Sequence, residues 1–253
     1  MNRYFIHLFF DGTAYHGWQI QKNANTIQAE LNRALETILQ TPIETTGCGR
    51  TDTGVHASDF YAHFDTTEKI DYKLITHRLN TVLPKDIAIK SITEVDKNMS
   101  ARFDAIQREY KYFLTYQRDP FLVNRVFFYY KKLDVDKMNE AAKLLLQYED
   151  FSCFSKAHTQ VKTNRCNIKY ASWALENLGL NQTECLVFTI QANRFLRGMV
   201  RAIVGTLLEI GIGNKTIKQF KEIIESKDRS QAGMSVEPHG LYLTQVLYPE
   251  ELL

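Results

Sequence analysis

The segment Gly49-Arg50-Thr51-Asp52-Thr53-Gly54-Val55-His56-Ala57 carries the residues best suited to chemistry. Two glycines bracket an Arg, two Thr and an Asp. Gly49 and Gly54 allow tight turns and the close approach of a ligand. Thr51 and Thr53 are expected to hydrogen-bond local amides and fix the loop. Asp52 would then sit at its centre, aimed outward. Residue types alone favour a plainer reading, an Asx-type turn between strands, since Asp and Gly are the commonest turn residues. His56 could be a base or a ligand, but a hydrogen-bonded structural histidine is the ordinary reading.

Two further groups could meet an anionic or aromatic ligand. Arg194, Arg197 and Arg201 are spaced three and four apart on a helix expected to start near Phe195. They share one face, and Leu196, Met199, Ile203 and Leu207 share the opposite, buried one. Any single arginine there reads as a solvated surface residue. Three at a helix start oppose the macrodipole unless an anion is near, and a phosphate or a carboxylate such as Asp52 would relieve them. In Arg108-Glu109-Tyr110-Lys111-Tyr112, two tyrosines alternate on a strand among basic neighbours, a pattern that suits stacking on unpaired bases. An aromatic core stripe explains it equally well, with one tyrosine buried.

The elements that must position these groups follow from periodicity. Tyr4 to Phe10 is a continuous apolar run ended by Asp11-Gly12, and reads as a central strand. Asn25-Thr26-Ile27-Gln28 resembles a capping box with Asn25 as cap, and Ile27, Leu31, Leu35 and Ile38 then carry a helix to about Gln40. Strands are expected over 43–47 and 55–64, a short helix over 72–79 and a strand over 87–95. The order β-α-β-β-α-β suggests a ferredoxin-like sheet with helices on one face. In the second half, strands are expected over 110–116, 169–175, 186–192 and 241–248, and helices over 135–148, 195–210 and 216–226. The expected class is α+β, with two ferredoxin-like (RRM-like) halves whose mainly antiparallel sheets form a central cleft. Residues 1–104 form the half carrying the Asp loop, and 105–253 the half carrying the Tyr and Arg residues. Asp11-Gly12-Thr13 reads as a simple turn, and His16-Gly17-Trp18 is too short for a nucleotide motif.

Composition sets outer bounds. Of 253 residues, 44% are hydrophobic and 24% charged, enough to bury a real core. Net charge is only +2, but residues 1–104 carry −2 and the remainder +4, a weak basic bias compatible with nucleic acid. Cys48, Cys153, Cys166 and Cys185 form no C-x-x-C pair, which favours reduced structural thiols over a metal site. No segment reads as a signal peptide or a membrane span, so a cytoplasmic protein is expected. There is no G-x-x-x-x-G-K-[ST], G-x-G-x-x-G or G-x-S-x-G, which disfavours nucleotide-driven and serine-hydrolase reactions.

Taken together, the segments resemble the TruA family of tRNA pseudouridine synthases over nearly the whole chain. The Asp52 loop is similar to that family's G-R-T-D-A-G-V-H. Gly17-Trp18-Gln19 with Gln21, Asn80 with Leu83-Pro84 and Asp86-Ile87, and Ala101-Arg102-Phe103 match further elements in the right order. So do Tyr110-Lys111-Tyr112, Met199-Val200-Arg201 with Val204-Gly205, and Gly240-Leu241-Tyr242-Leu243. Thr53 stands where Ala is usual, Ala202 where Asn is common, Gly198 where His is frequent and Phe60 where Gln is common. None of these removes a residue assigned to chemistry, and all bear on substrate fit.

The resemblance implies isomerisation of uridine at positions 38, 39 and 40 of the tRNA anticodon stem-loop. The reaction breaks the ribose bond to uracil N1 and rejoins the base through C5. Composition and redox state do not change, so no cofactor and no metal is required. By resemblance, Asp52 is the catalytic carboxylate and Arg201 its partner, an arginine close enough to keep it ionised. Tyr110 stacks on the target uracil, and Arg50 helps fill the space left by the flipped nucleotide. Arg102, Arg194 and Arg197 are candidate phosphate contacts. Family members act as homodimers, with tRNA bridging both subunits and no membrane involved. The competing readings are a non-catalytic RNA-binding protein, a scaffold without RNA, and a related synthase acting at another position.

Overall fold

The computed structural model describes residues 1–156 and 163–250. The chain divides into two compact units, Met1–Arg108 with the segment from Tyr242 onward, and Glu109–Leu241. Both are mixed α/β with mainly antiparallel pairing. Among the described residues, no helix is long and apolar enough to cross a membrane.

The first unit is built on strand β1 (Asn2–Phe10). It pairs antiparallel with β3 (His56–Thr66) on one side and β4 (Ile87–Val95) on the other, with Ile6 opposite both Ala62 and Ile92. β9 (Leu241–Leu247) adds parallel to β3 through His56 and Tyr242, and the two-residue β2 (Thr46–Gly47) caps β3 from the antiparallel side. Alternation places Tyr4, Ile6, Leu8 and Phe10 on the buried face together with Phe60, Ala62 and Phe64. Helix α1 (Ile27–Leu39) buries Ile27, Leu31, Ala34 and Leu35, a stripe at helical spacing. Burial of each leucine stabilises the unit by about 1.5–3 kcal/mol. Helix α2 (Tyr72–Val82) packs on β4 and against α1.

Two expectations in this unit need correction. The cap of α1 is Thr26, whose hydroxyl accepts from the Ala29 N–H at 3.3 Å, and not Asn25. No capping box forms there, because Gln28 is used elsewhere: its Oε1 accepts from the Ile20 N–H and its Nε2 donates to the Thr45 carbonyl. The strand expected over 43–47 shrinks to Thr46–Gly47 for a related reason. The Thr45 N–H and hydroxyl both bond Asn32 Oδ1, which withdraws this stretch from the ladder.

The second unit has strand order β5-β8-β7, from β5 (Gln107–Thr115), β7 (Ile168–Leu178) and β8 (Thr183–Ala192). β7 and β8 form a long antiparallel hairpin with Trp173 opposite Phe188. A two-residue β6 (Phe127–Phe128) lies parallel to β5. Helix α3 (Val135–Leu144) packs on β7 and on two further helices, α4 (Met199–Gly211) and α5 (Ile217–Ser226). α3 is followed by a 3-10 turn at Leu145–Gln147 instead of running on to Tyr148. α5 carries a true capping box between Thr216 and Gln219.

The helix expected from Phe195 begins four residues later, at Met199. Gly198 adopts a left-handed φ of +72°, which ends any helix arriving from its N-terminal side. Arg194 and Arg197 therefore stand before the helix, and only Arg201 lies on it. The stripe of three arginines on one helical face does not form. The apolar stripe starts at Met199, with Met199, Ile203 and Leu207 buried on α4, and Leu196 is buried ahead of the helix.

Candidate functional site

In the first unit the chain between β2 and β3 forms a closed turn. The Val55 N–H donates to the Asp52 carbonyl at 3.2 Å, and Gly54, third in that turn, has φ +75°. A turn of this kind needs glycine in its third position. Asp52 is its first residue. Its backbone closes the turn and its side chain stays half-buried at the surface, flanked by exposed Arg50 and Thr53.

The turn rests on two glycines from the segment after β1. A Cβ on Gly12 would lie 2.0 Å from the Val55 carbonyl oxygen, and one on Gly17 would lie 2.2 Å from that of Thr51. Gly17 also has φ +85°. Tyr15, between them, accepts the Gly54 N–H on its carbonyl and sends its hydroxyl to Asp86 at 2.7 Å. Burial and Asp86 push the Tyr15 phenol well above its ordinary value, so it stays a neutral donor. The Gly17 carbonyl then receives the N–H of Ile27, the first residue of α1. Asp52 is thus held from behind by a cradle anchored to both β1 and α1.

His56 is a structural part of this cradle. It is buried, its Nδ1 accepts from the Gly12 N–H at 3.0 Å, and its ring stacks on Tyr242 at 4.4 Å. Asp11 Oδ1 lies 3.2 Å from the same nitrogen.

Thr51 departs from expectation. Its side chain is buried, and its Oγ1 has no hydrogen-bond partner among the described residues. The hydroxyl fixes nothing; the loop is set by Gly54 and by the two glycines beneath it. Gly49 has open space around its Cβ position, so neither space nor contact demands glycine there. Arg102, also in this unit, is exposed with its guanidinium 5.4 Å from the Phe103 ring centre.

In the second unit Tyr110 and Tyr112 lie on β5, and they divide the two roles open to them. Tyr112 is fully buried, and its hydroxyl donates to the Glu237 carbonyl at 3.0 Å. Tyr110 is half-exposed, and its ring meets Phe195 edge-on at 5.1 Å and 88°. Glu109 and Lys111, on the alternate face, are taken up by Gln191 and Glu176.

Arg201, two residues into α4, donates from Nε to the Val236 carbonyl at 2.7 Å. The strap that carries Val236 lies directly on the helix, since a Cβ on Gly205 would sit 1.8 Å from the Met234 carbonyl oxygen. Thr206 accepts the Gly233 N–H, and Arg229 binds the carbonyls of Ala232 and Gly233. Arg194 is half-buried beside the Cys166 thiol, and Arg197 is exposed. All four cysteines are buried and unbonded to one another.

Sequence reasoning missed Gly12, Tyr15 and Gly17 as parts of the site. The signal was present in Gly17-Trp18-Gln19, but a positive φ and close packing on another segment leave no local pattern.

A family model described as tRNA pseudouridine synthase matches residues 8–104 and 141–249. The tRNA pseudouridine synthase A of Parabacteroides distasonis is 50% identical over 253 residues, covering 100% of this chain and 98% of its own. That of Porphyromonas gingivalis is 49% identical, covering 100% and 99%. That of Bacteroides thetaiotaomicron is 48% identical, covering 100% and 93%.

Proposed function

The chain belongs to the tRNA pseudouridine synthase family, and from that premise we propose that it isomerises uridine to pseudouridine at positions 38, 39 and 40 of the tRNA anticodon stem-loop, with Asp52 as the reacting carboxylate. The observation that carries this reading is the Asp52 turn. A carboxylate stands half-exposed on a backbone fixed by Gly54 and seated on Gly12 and Gly17. Such rigid support is what a reacting group needs, since small misplacements are costly in rate.

The uridine leaves the helix stack at a cost of roughly a few kcal/mol. Exposed Arg50, two residues before Asp52, helps occupy the vacated space. Tyr110 stacks on the extruded uracil, a role its half-exposed ring supports and the buried ring of Tyr112 does not. The family resemblance gives Arg201 the part of partner to the Asp52 carboxylate, and in this chain its Nε is held by the Val236 carbonyl. Arg102 and Arg197, both exposed, contact phosphates, and Arg194 assists from a half-buried position. The strand and helix order of the first unit supports its reading as ferredoxin-like. The active species is a homodimer that tRNA bridges, working in the cytoplasm. The isomerisation is balanced in atoms and electrons, so it consumes no co-substrate.

The test is unmodified tRNA carrying uridine at positions 38 to 40, incubated with the protein and mapped by carbodiimide-stop primer extension beside an Asp52→Asn sample. Wild-type-only stops at those positions are expected. Stops elsewhere in the tRNA would keep the chemistry and overturn the positional assignment. Undiminished stops with Asp52→Asn would remove Asp52 from the reaction.

A further inference from the structure

The segment from Tyr116 to Lys132, between β5 and α3, falls outside the two matched stretches and takes no part in the site described above. Its surface is mainly aromatic and basic, with Val123 also exposed. Tyr116, Phe121, Phe128 and Tyr130 are exposed aromatics, Phe121 at 59% and Tyr130 at 77%. Its exposed charges are Arg118, Arg125, Lys131 and Lys132, all positive. The single acid, Asp119, is turned inward, where it accepts from the Thr183 hydroxyl, the Asn181 amide and the Phe121 N–H. Those bonds hold its carboxyl below the usual carboxylate range. Glu184 acts on the Tyr116 hydroxyl and Glu209 on that of Tyr129.

The surface is also pre-formed. Arg118 lies 5.4 Å from the Phe128 ring centre and Lys131 5.8 Å from that of Tyr130, so cations and rings are interleaved. Leu122 and Val126 anchor the segment on the core around Val187, and successive turns close through the Asp119 and Leu122 carbonyls. The Tyr129 N–H bonds the Thr115 carbonyl, which fixes the exit from β6. Exposed aromatic side chains are costly on a surface that meets only water, and a fixed basic-aromatic one matches a chain of phosphates carrying stackable bases.

We infer that Tyr116–Lys132 is a second RNA-binding surface, which grips phosphates and unpaired bases of the tRNA away from the reacting uridine. This rests on the tRNA reading of the function. β5 carries the chain about 17 Å from Tyr110 to Thr115, at the usual rise of an extended strand. The surface therefore engages nucleotides well removed from the base at Tyr110. It adds affinity through counterion release and stacking without reading sequence at the target.

The test compares wild type with a variant carrying Arg118→Gln, Arg125→Gln, Lys131→Gln and Lys132→Gln, and with Tyr130→Ser alone. Affinity for unmodified tRNA is measured by filter binding across a potassium chloride series, with oligomeric state followed by sedimentation and folding by circular dichroism. The charge variant is expected to bind about tenfold or more weakly, with its log–log salt slope reduced by about 2 or more, since each lost phosphate contact removes about 0.7–0.9. Tyr130→Ser is expected to lose about fivefold or more in affinity through lost stacking. An unaltered salt slope in the charge variant overturns the inference. So does a change of oligomeric state with tRNA affinity intact, which would make the face a contact between copies of the chain. Pseudouridine formation by wild type, assayed in parallel, separates the two claims. Activity with an unaltered slope leaves the function standing and the surface refuted; no activity with a reduced slope does the reverse.

Discussion

Arg201 and Val236 hold each other at two points: the Arg201 Nε donates to the Val236 carbonyl at 2.7 Å, and the Val236 N–H donates to the Arg201 carbonyl at 3.2 Å. The direction of this guanidinium is therefore set by a strap more than thirty residues further along the chain. The strap can sit so close only because position 205 is glycine, one helical turn after Arg201. Gly205→Ala pushes a methyl group into the Met234 carbonyl and lifts the strap. The expected result is a loss of about 1–3 kcal/mol of stability from overpacking. A fall of about a hundredfold in single-turnover pseudouridine formation accompanies it, as the arginine loses its aim. A stable Gly205→Ala protein with wild-type turnover would show that the strap does not govern Arg201.

The Asp52 turn depends in the same way on Gly17. Its φ is +85°, and a Cβ there would lie 2.2 Å from the Thr51 carbonyl oxygen, which leaves no place for a side chain. Gly17→Ala is expected to lower the rate of the chemical step by about a hundredfold while tRNA affinity, measured by filter binding, stays within about threefold of wild type. Affinity and rate falling together would mean that the cradle serves RNA binding more than the carboxylate.

Much of this arrangement was legible in the chain itself. β4 reads directly from Ile87 to Val95, and the apolar stripe of α4 from Met199 to Leu207. The Asp52 loop stands out between two strands. What escaped is conformational or non-local. Gly198 ends the expected helix by a left-handed φ that residue type permits but does not demand, and that moves Arg194 and Arg197 off α4. Asn32 captures Thr45 from thirteen positions away and shortens β2. Gly12 looked like a turn residue because its partner, Val55, lies in a different segment.

Thr51 gives an outcome of the opposite sign. Its buried hydroxyl has no partner among the described residues, so it contributes a desolvation cost without a hydrogen bond. Thr51→Val keeps the shape and removes the polar atom. The protein is expected to be as stable as wild type or more so, by up to about 1 kcal/mol, in urea denaturation. Destabilisation would mean that the hydroxyl is satisfied by water in the folded protein.

The cysteines should be silent in the folded protein. Burial pushes the thiols of Cys48 and Cys153 up to about 12 and that of Cys166 up to about 11, and raises Cys185 as well. Thiolate is the reactive form, so at pH 8 almost none is present and what there is lies out of reach. Ellman's reagent is expected to find no fast-reacting thiol in the native protein and all four after denaturation. Rapid native labelling of Cys48 would show that β2 opens.

The Arg3–Asp65 pair should make stability depend on acid. Arg3 grips Asp65 with both Nε and Nη2, at 2.8 and 2.7 Å, and its hydrogen bonds hold the Asp65 carboxyl below the usual range. The folded state thus binds a proton less readily than the unfolded chain, whose aspartates titrate near about 3.9. The contribution is fully present above that pH, and is lost as pH falls through the lower folded value. Asp65→Asn is expected to melt below wild type at pH 7, with the gap closing as pH drops below about 3. Arg3 keeps its bond to the Met99 carbonyl in the variant, so the first unit retains its fold. The pair is partly exposed, so the neutral-pH gap should also shrink in high salt. A gap that persists unchanged to low pH would assign it to lost packing instead of charge.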